Sequence, residues 1–451
     1  MSNMSSHTTG PSHTTGPSHI YRAILLILPS IVITGISIAL FSLLTSFTQP
    51  QFNIFSIIII GAIILSLLGM AGMQALIYRT TEPPDYFTDG GARRVMRAGL
   101  FYSFIFSLLI AAAAYRPFTV FLNFTAADFL YFAALVFLFS STWILAAVLW
   151  AYNKLGQAAI IFTASYLLIF ALAYGGYLIN PVYTIAGYTL GTLALFLSLL
   201  VTSLIVFSRP VSRHKFSDDI SRLIKSVPEN AAAITFNILF VLAIFLDKII
   251  IWFYQGMITR QGLTVTGYYA FGSFLGLVPL FSIAVAAYFT SRTKDIVEDR
   301  YNGTLSEIQK RALIYKNIYR SSFRALWAIA LGLGVIVGVL SYWLIDDSRV
   351  LNILFTVTPG SVFLATILFN ASVLVIFGKY GISVFSVMMV VFFILAAIPF
   401  ISLDAWYCAL GYSLGSFIGF VISLVATLRL LSNHEYNLFS YLLKLDTKQA
   451  S

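Results

Sequence analysis

Two adjacent ionisable residues, Asp247 and Lys248, stand inside an otherwise apolar run that continues into Trp252, Phe253 and Tyr254. Charge inside hydrocarbon is costly, so such a pair points by default to an ion or substrate pathway. Glu229 stands at the inner end of the same run. Neighbouring residues on a helix point about 100° apart, so both cannot face one partner squarely. The expectation is one side chain facing a cavity while the other snorkels outward, against the plainer alternative of a charge pair near the outer surface. A second set, Gly272, Gly276 and Pro279, sits in the next apolar run. Its Gly-x-x-x-Gly permits close helix approach, and the proline removes a backbone hydrogen bond, so the run is read as a packing surface with a kink that can act as a hinge.

The chemistry that is missing narrows the field. The single cysteine, Cys408, rules out an intramolecular disulfide and a thiolate zinc site. The five histidines are His7, His13, His19, His214 and His434, all outside the apolar runs, so intramembrane His catalysis and metal binding are disfavoured. There is no Walker lysine loop and no paired-carboxylate motif. The expectation is a protein that is not an enzyme and carries no cofactor. An ion gradient, H+ or Na+, is the simplest energy source.

The elements that hold these residues follow from composition. Of 451 residues, 59% are hydrophobic and only 10% charged, with a mean hydropathy of +0.90. Soluble chains carry about 25% charged residues, so a cytosolic enzyme, a disordered chain and a nucleic-acid-binding domain are excluded together. Runs of about 20 apolar residues, the length that spans a bilayer core, occur near 20–47, 52–78, 98–115, 129–151, 157–178, 183–207, 231–254, 265–290, 325–344, 350–377, 381–402 and 406–431. The fold class is an all-α integral membrane protein of about twelve transmembrane helices in two six-helix halves.

Basic residues orient it. With the N-terminus cytoplasmic, 23 of the 27 Lys and Arg residues fall inside, only Arg116, Arg260 and Arg349 fall outside, and Lys248 lies within a span. This predicts a plasma-membrane protein with both termini cytoplasmic, and assigns the net charge of +10 to topology and anionic lipid contact, not to nucleic acid. Residues 1–19, with a twice-written Ser-His-Thr-Thr-Gly-Pro, have nothing to bury and read as a disordered cytoplasmic tail; no signal peptide is evident.

The two halves share a rhythm. Long charged inner loops join spans 2 and 3 and spans 8 and 9. Lys154-Leu155-Gly156 joins spans 4 and 5 as Lys379-Tyr380-Gly381 joins spans 10 and 11. Arg97 to Lys154 is 57 residues and Arg324 to Lys379 is 55. The organisation is therefore a tail at 1–19, a six-helix half at 20–208, a linker at 209–230, a second half at 231–431 and a tail at 432–451, the plan of transporters that rock around a central site. In the loop before span 9, Thr304-Leu305-Ser306-Glu307 is a capping-box pattern. Leu305, Ile308, Ala312, Tyr315 and Tyr319 then form an apolar stripe, with Lys310, Arg311, Lys316 and Arg320 on other faces. Such a helix can lie on lipid, dock a cytoplasmic partner protein, or pack beneath span 9.

Twelve spans with long 2–3 and 8–9 loops resemble the multidrug/oligosaccharidyl-lipid/polysaccharide (MOP) flippase superfamily. Within it, Gln74 to Asp85 with Arg79, Asp247-Lys248 followed by Trp252-Phe253, and Tyr269, Phe274-Leu275 and Pro279 are similar to the PelG-type exopolysaccharide transporters. The chain departs from that pattern in its Ser/His/Thr tail and in lacking an acidic residue between Phe281 and Ala287. The resemblance implies an exporter or flippase of a polysaccharide or lipid-linked saccharide, with Gln74, Arg79, Glu229, Asp247 and Lys248 on its substrate or ion pathway. The competing readings are a major-facilitator small-solute porter and, further off, a membrane glycosyltransferase or acyltransferase.

Overall fold

The computed structural model describes residues 49–80, 89–121, 124–152, 154–207, 220–221, 224–259, 267–283 and 305–433, with 285, 286, 289, 293 and 436. The first expected span, the N-terminal tail, most of the linker, the Thr304 cap and the C-terminal tail lie outside the described residues. In chain order the long elements are α1 (Gln49–Thr80), α2 (Asp89–Phe121), α3 (Ala126–Ala151), α4 (Leu155–Ile179), α5 (Thr184–Val206), α6 (Ala231–Thr259), α7 (Gly267–Gly276), α8 (Leu305–Leu344), α9 (Ser348–Ile376), α10 (Tyr380–Ala396) and α11 (Trp406–Ser432). Among the described residues, ten helices are long and apolar enough to cross a membrane, and Tyr268–Ile283 is a shorter apolar helical stretch. All regular structure among the described residues is helical, because hydrocarbon leaves each backbone polar group to be satisfied within its own segment. Leu108, Leu109, Leu190 and Ile205 stand exposed, as large apolar side chains do where a bilayer replaces water as solvent.

The rhythm of the sequence reappears as geometry. Among the described residues, the two most enclosed spans are α3 and α9, each ending the same distance before its half's Lys-x-Gly turn. Those turns close alike: the Lys154 N–H donates to the Leu149 carbonyl at 2.8 Å, and the Lys379 N–H to the Leu374 carbonyl at 2.8 Å. Each following helix ends in a proline-containing 3₁₀ turn, Pro181–Tyr183 or Ile398–Phe400, before an antiparallel partner. Small residues bring the partners together. A Cβ on Gly187 would meet the Leu172 carbonyl of α4, and one on Gly419 would meet the Ser386 carbonyl of α10, the close backbone approach that drives association in lipid. The halves meet where α1 packs on α6; there the Asn237 amide donates to the Ala71 carbonyl at 3.3 Å.

Two expected elements differ. The span near 265–290 is not one kinked helix: α7 stops at Gly276 and a 3₁₀ segment, Val278–Ile283, carries Pro279. Proline has no N–H to donate and crowds the preceding turn, so the α-helix ends before it. The span near 325–344 begins twenty residues earlier, since the basic amphipathic segment is the first half of α8 and continuous with the span. At 1.5 Å per residue its 40 residues reach about 60 Å, twice a hydrocarbon core of about 30 Å. Tyr315 and Tyr319 anchor this extension, buried against Phe289, which is also edge-on to Phe369.

Candidate functional site: a buried ion pair in the second half

Asp247 and Lys248 lie in α6 and both are fully buried. The Lys248 Nζ donates to Asp247 Oδ1 at 2.9 Å and Oδ2 at 3.2 Å, and to the Ile244 carbonyl one turn earlier at 2.8 Å. This overturns the expectation that one of the pair snorkels outward. A lysine stem is long enough to fold back along its own helix, so side chains that leave the axis about 100° apart still meet at their tips. The expected location also shifts. The pair sits within the second half, where α6 meets α7 and α11, and not in a cavity between the halves.

Three more side chains complete the shell. Tyr269 Oη donates to Asp247 Oδ2 at 2.9 Å and Ser273 Oγ to the same oxygen at 3.2 Å, both from one face of α7. The ammonium lies 5.6 Å from the Phe274 ring centroid and 6.0 Å from that of Tyr412, so two aromatic faces enclose it. Tyr412 Oη is 3.2 Å from Ser361 Oγ, which donates to the Val357 carbonyl, carrying the polar network into α9. A buried ion pair is tolerated when its geometry is good and the remaining lone pairs are used, and Asp247 here accepts from three different side chains.

The other expected residues are spread out. Gly272 and Gly276 lie on α7 against α9, where a Cβ would meet the Val350 carbonyl at 2.6 Å and Val357 Cβ at 2.7 Å; they set how closely α7 packs on α9. Pro279 is buried in the 3₁₀ segment, which α8 and α9 both contact. Glu229 is exposed in the turn before α6, about 27 Å along the helix from Asp247 at 1.5 Å per residue, so the two do not share a site. Gln74 is half-buried on α1. Arg79 belongs to the last turn of α1, and its side chain lies outside the described ones.

Sequence reading missed a second buried network. Tyr319 Oη of α8 donates to Asn370 Oδ1 at 2.9 Å, and Asn370 Nδ2 donates to Ser423 Oγ at 3.1 Å, tying α8, α9 and α11 together. An amide in the middle of the apolar run 350–377 was the available signal.

This arrangement of helices is that of the MOP superfamily of transporters. A mutant of the MATE transporter VcmN of Vibrio cholerae superposes with a TM-score of 0.60 at 15% identity, over 92% of this chain and 97% of that one. An outward-facing multidrug resistance MATE family transporter of the superfamily gives 0.61 at 13% identity, over 91% and 95%, and a MOP superfamily transporter from Pyrococcus furiosus gives 0.54 at 13% identity, over 91% and 96%. At these identities the likeness is one of fold, and it replaces the major-facilitator alternative. No curated relative matches the chain in sequence.

The family itself is set by sequence. The model of the PelG family, described as "Putative exopolysaccharide Exporter (EPS-E)", matches residues 17–439, nearly the whole chain, and the chain belongs to that family. It is a multi-pass membrane transporter of the exopolysaccharide exporter and flippase type, with a saccharide as its substrate class.

Proposed function

We propose that this exporter works by alternating access in the plasma membrane, the halves 20–208 and 231–431 rocking about the α1–α6 seam with both termini cytoplasmic, and that a proton at Asp247 drives it. The shell of Asp247 carries the proposal. Its carboxylate ties α6 to α7 through Tyr269 and Ser273 only while it is free to accept. Protonation would turn one oxygen into a donor, loosen those bonds and release Lys248 from its partner. A proton is favoured over Na+ because the ammonium, at 2.9 Å, already occupies the cation's place against the carboxylate. No catalytic step is assigned to the chain.

A cytoplasmic glycosyltransferase or synthase is the proposed partner, docking on the projecting start of α8, where Lys310 and Arg320 are exposed. Charge reversal at Lys310 and Lys316 tests that contact by co-purification.

The ion-pair reading is tested by secreted polysaccharide measured together with membrane abundance. Asp247→Asn is expected to abolish most secretion, and Asp247→Asn with Lys248→Met is expected to restore abundance without restoring secretion. Wild-type secretion by either variant removes the carboxylate from the mechanism, and secretion that depends on sodium instead of the proton gradient removes the proton.

A further inference from the structure

A cleft of about 780 Å³ lies at the end of the second half where the described loops carry few basic residues, lined by the ends of α6, α7, α9 and α11. Its aromatic members are Tyr254, Tyr268 and Trp406; its polar ones include Arg349, Asn352 and Asp404. We propose that this cleft is an exit-side subsite for the glycan chain of the exported saccharide, a proposal that rests on the exporter reading above.

Sugar rings offer two kinds of surface: flat faces of C–H groups, and edges crowded with hydroxyls that each donate and accept. A site for them therefore needs aromatic platforms together with short polar side chains of both kinds. The cleft has these, and they are held in place. The Trp406 indole Nε1 donates to Thr356 Oγ1 at 2.7 Å, and the Trp406 backbone N–H donates to Asp404 Oδ1 at 2.8 Å. The Arg349 guanidinium lies 4.9 Å from the Tyr268 ring centroid and forks onto Asp347, at 3.1 Å through Nε and 2.9 Å through Nη2. Arg349 thus lies over Tyr268 while bonded to Asp347, and the Asn352 amide and the second carboxylate oxygen of Asp404 are among the lining groups that can serve hydroxyls. With Arg349 held by Asp347, the lining presents one carboxylate, Asp404, among its polar and aromatic groups, which suits a hydroxyl-rich ligand better than a strongly anionic one.

Position connects the cleft to the buried pair. Tyr254 is seven residues from Asp247 on α6, about 10 Å at 1.5 Å per residue, and Tyr268, in the lining, is next to Tyr269, which holds Asp247. A glycan resting on Tyr268 would thus press on the turn of α7 that carries the carboxylate's donor.

The test is protection from labelling. In a Cys408→Ala background, Ser402→Cys at the cleft rim and Val182→Cys on the same side of the first half are reacted with a membrane-impermeant maleimide in the purified full-length exporter. Fragments of the producing strain's secreted polysaccharide, or a total lipid extract of that strain, are the competing probes. Protection of Ser402→Cys but not Val182→Cys is expected; protection by the fragments identifies a free chain, and protection by the extract alone identifies a glycan on a lipid carrier. Asn352→Ala should raise the concentration needed for half-protection about three- to tenfold, the effect of one or two lost hydrogen bonds. Equal labelling of both positions with every probe overturns the subsite. The exporter reading fails separately, if deleting the gene leaves polysaccharide secretion unchanged.

Discussion

Lys248 is the residue whose behaviour departs most from simple helical geometry, because its neighbour is also its counter-ion. Removing one member of a buried pair leaves an uncompensated charge, whereas removing both leaves a shape that apolar groups can fill. Asp247→Asn should therefore cost about 3–5 kcal/mol of stability, and Asp247→Asn with Lys248→Met should recover most of it. Thermal unfolding of the purified proteins in detergent decides this. A double variant no more stable than the single one would mean that the shell of Tyr269 and Ser273, and not the ion pair, sets the energy. The pair itself was legible in the sequence, since two charges in an apolar run stand out. Its enclosure was not, because the partners Tyr269 and Tyr412 are 22 and 165 residues away and are ordinary members of apolar helices.

At the scale of elements, the same kind of residue does two different things. Gly415 of α11 lies against α10, where a Cβ would come within 2.7 Å of Val390 Cα and 2.9 Å of the Met389 carbonyl. Backbone cannot retreat as a side chain tip can, so Gly415→Ala should force the helices apart and cost about 1–3 kcal/mol. Gly381 has nothing within 4 Å of its would-be Cβ, and as an exposed helical residue its change to Ala should stabilise by up to about 1 kcal/mol. Melting temperatures of the two variants should move in opposite directions, and a shift of the same sign would refute the seam. From the sequence, Gly415 reads only as a glycine in an apolar run, and Gly381 as the end of a Lys-x-Gly turn. Which of them touches a neighbour depends on which face α11 turns toward α10, and uniformly apolar helices carry almost no periodic signal of facing. By contrast, the amphipathic start of α8 was legible, because its stripe of Ala312, Tyr315 and Tyr319 alternates with charge. What could not be read was its continuity with the span. The Arg320 to Arg324 stretch looks like a loop's end to a hydropathy scan, yet it offers no helix-breaking residue.

For the whole molecule, orientation is the property with the simplest test. The basic side should be cytoplasmic, so Ser221→Cys in a Cys408→Ala background should resist an impermeant reagent in intact cells, and Val182→Cys should react. Both native positions are exposed, so reactivity reports sidedness instead of burial. Labelling of Ser221→Cys from outside would invert the molecule and place the glycan cleft on the entry side.

The sequence by itself determined that this chain lives in a membrane and where most of its spans lie, and it carries the basic asymmetry from which an orientation is predicted. Those properties depend on the transfer of local segments between water and hydrocarbon, and each segment carries its own share of that free energy. The repeat was also local, written in the two Lys-x-Gly turns, which share the bond from the lysine N–H to the carbonyl five residues earlier. Only the tertiary structure decided that Lys248 turns back to Asp247, that Glu229 belongs elsewhere, and that Tyr254, Tyr268, Arg349, Asn352, Asp404 and Trp406 converge on one cleft. Those outcomes depend on contacts between helices far apart in the chain, and when every helix is apolar all round, close packing of small residues and buried hydrogen bonds choose the neighbours.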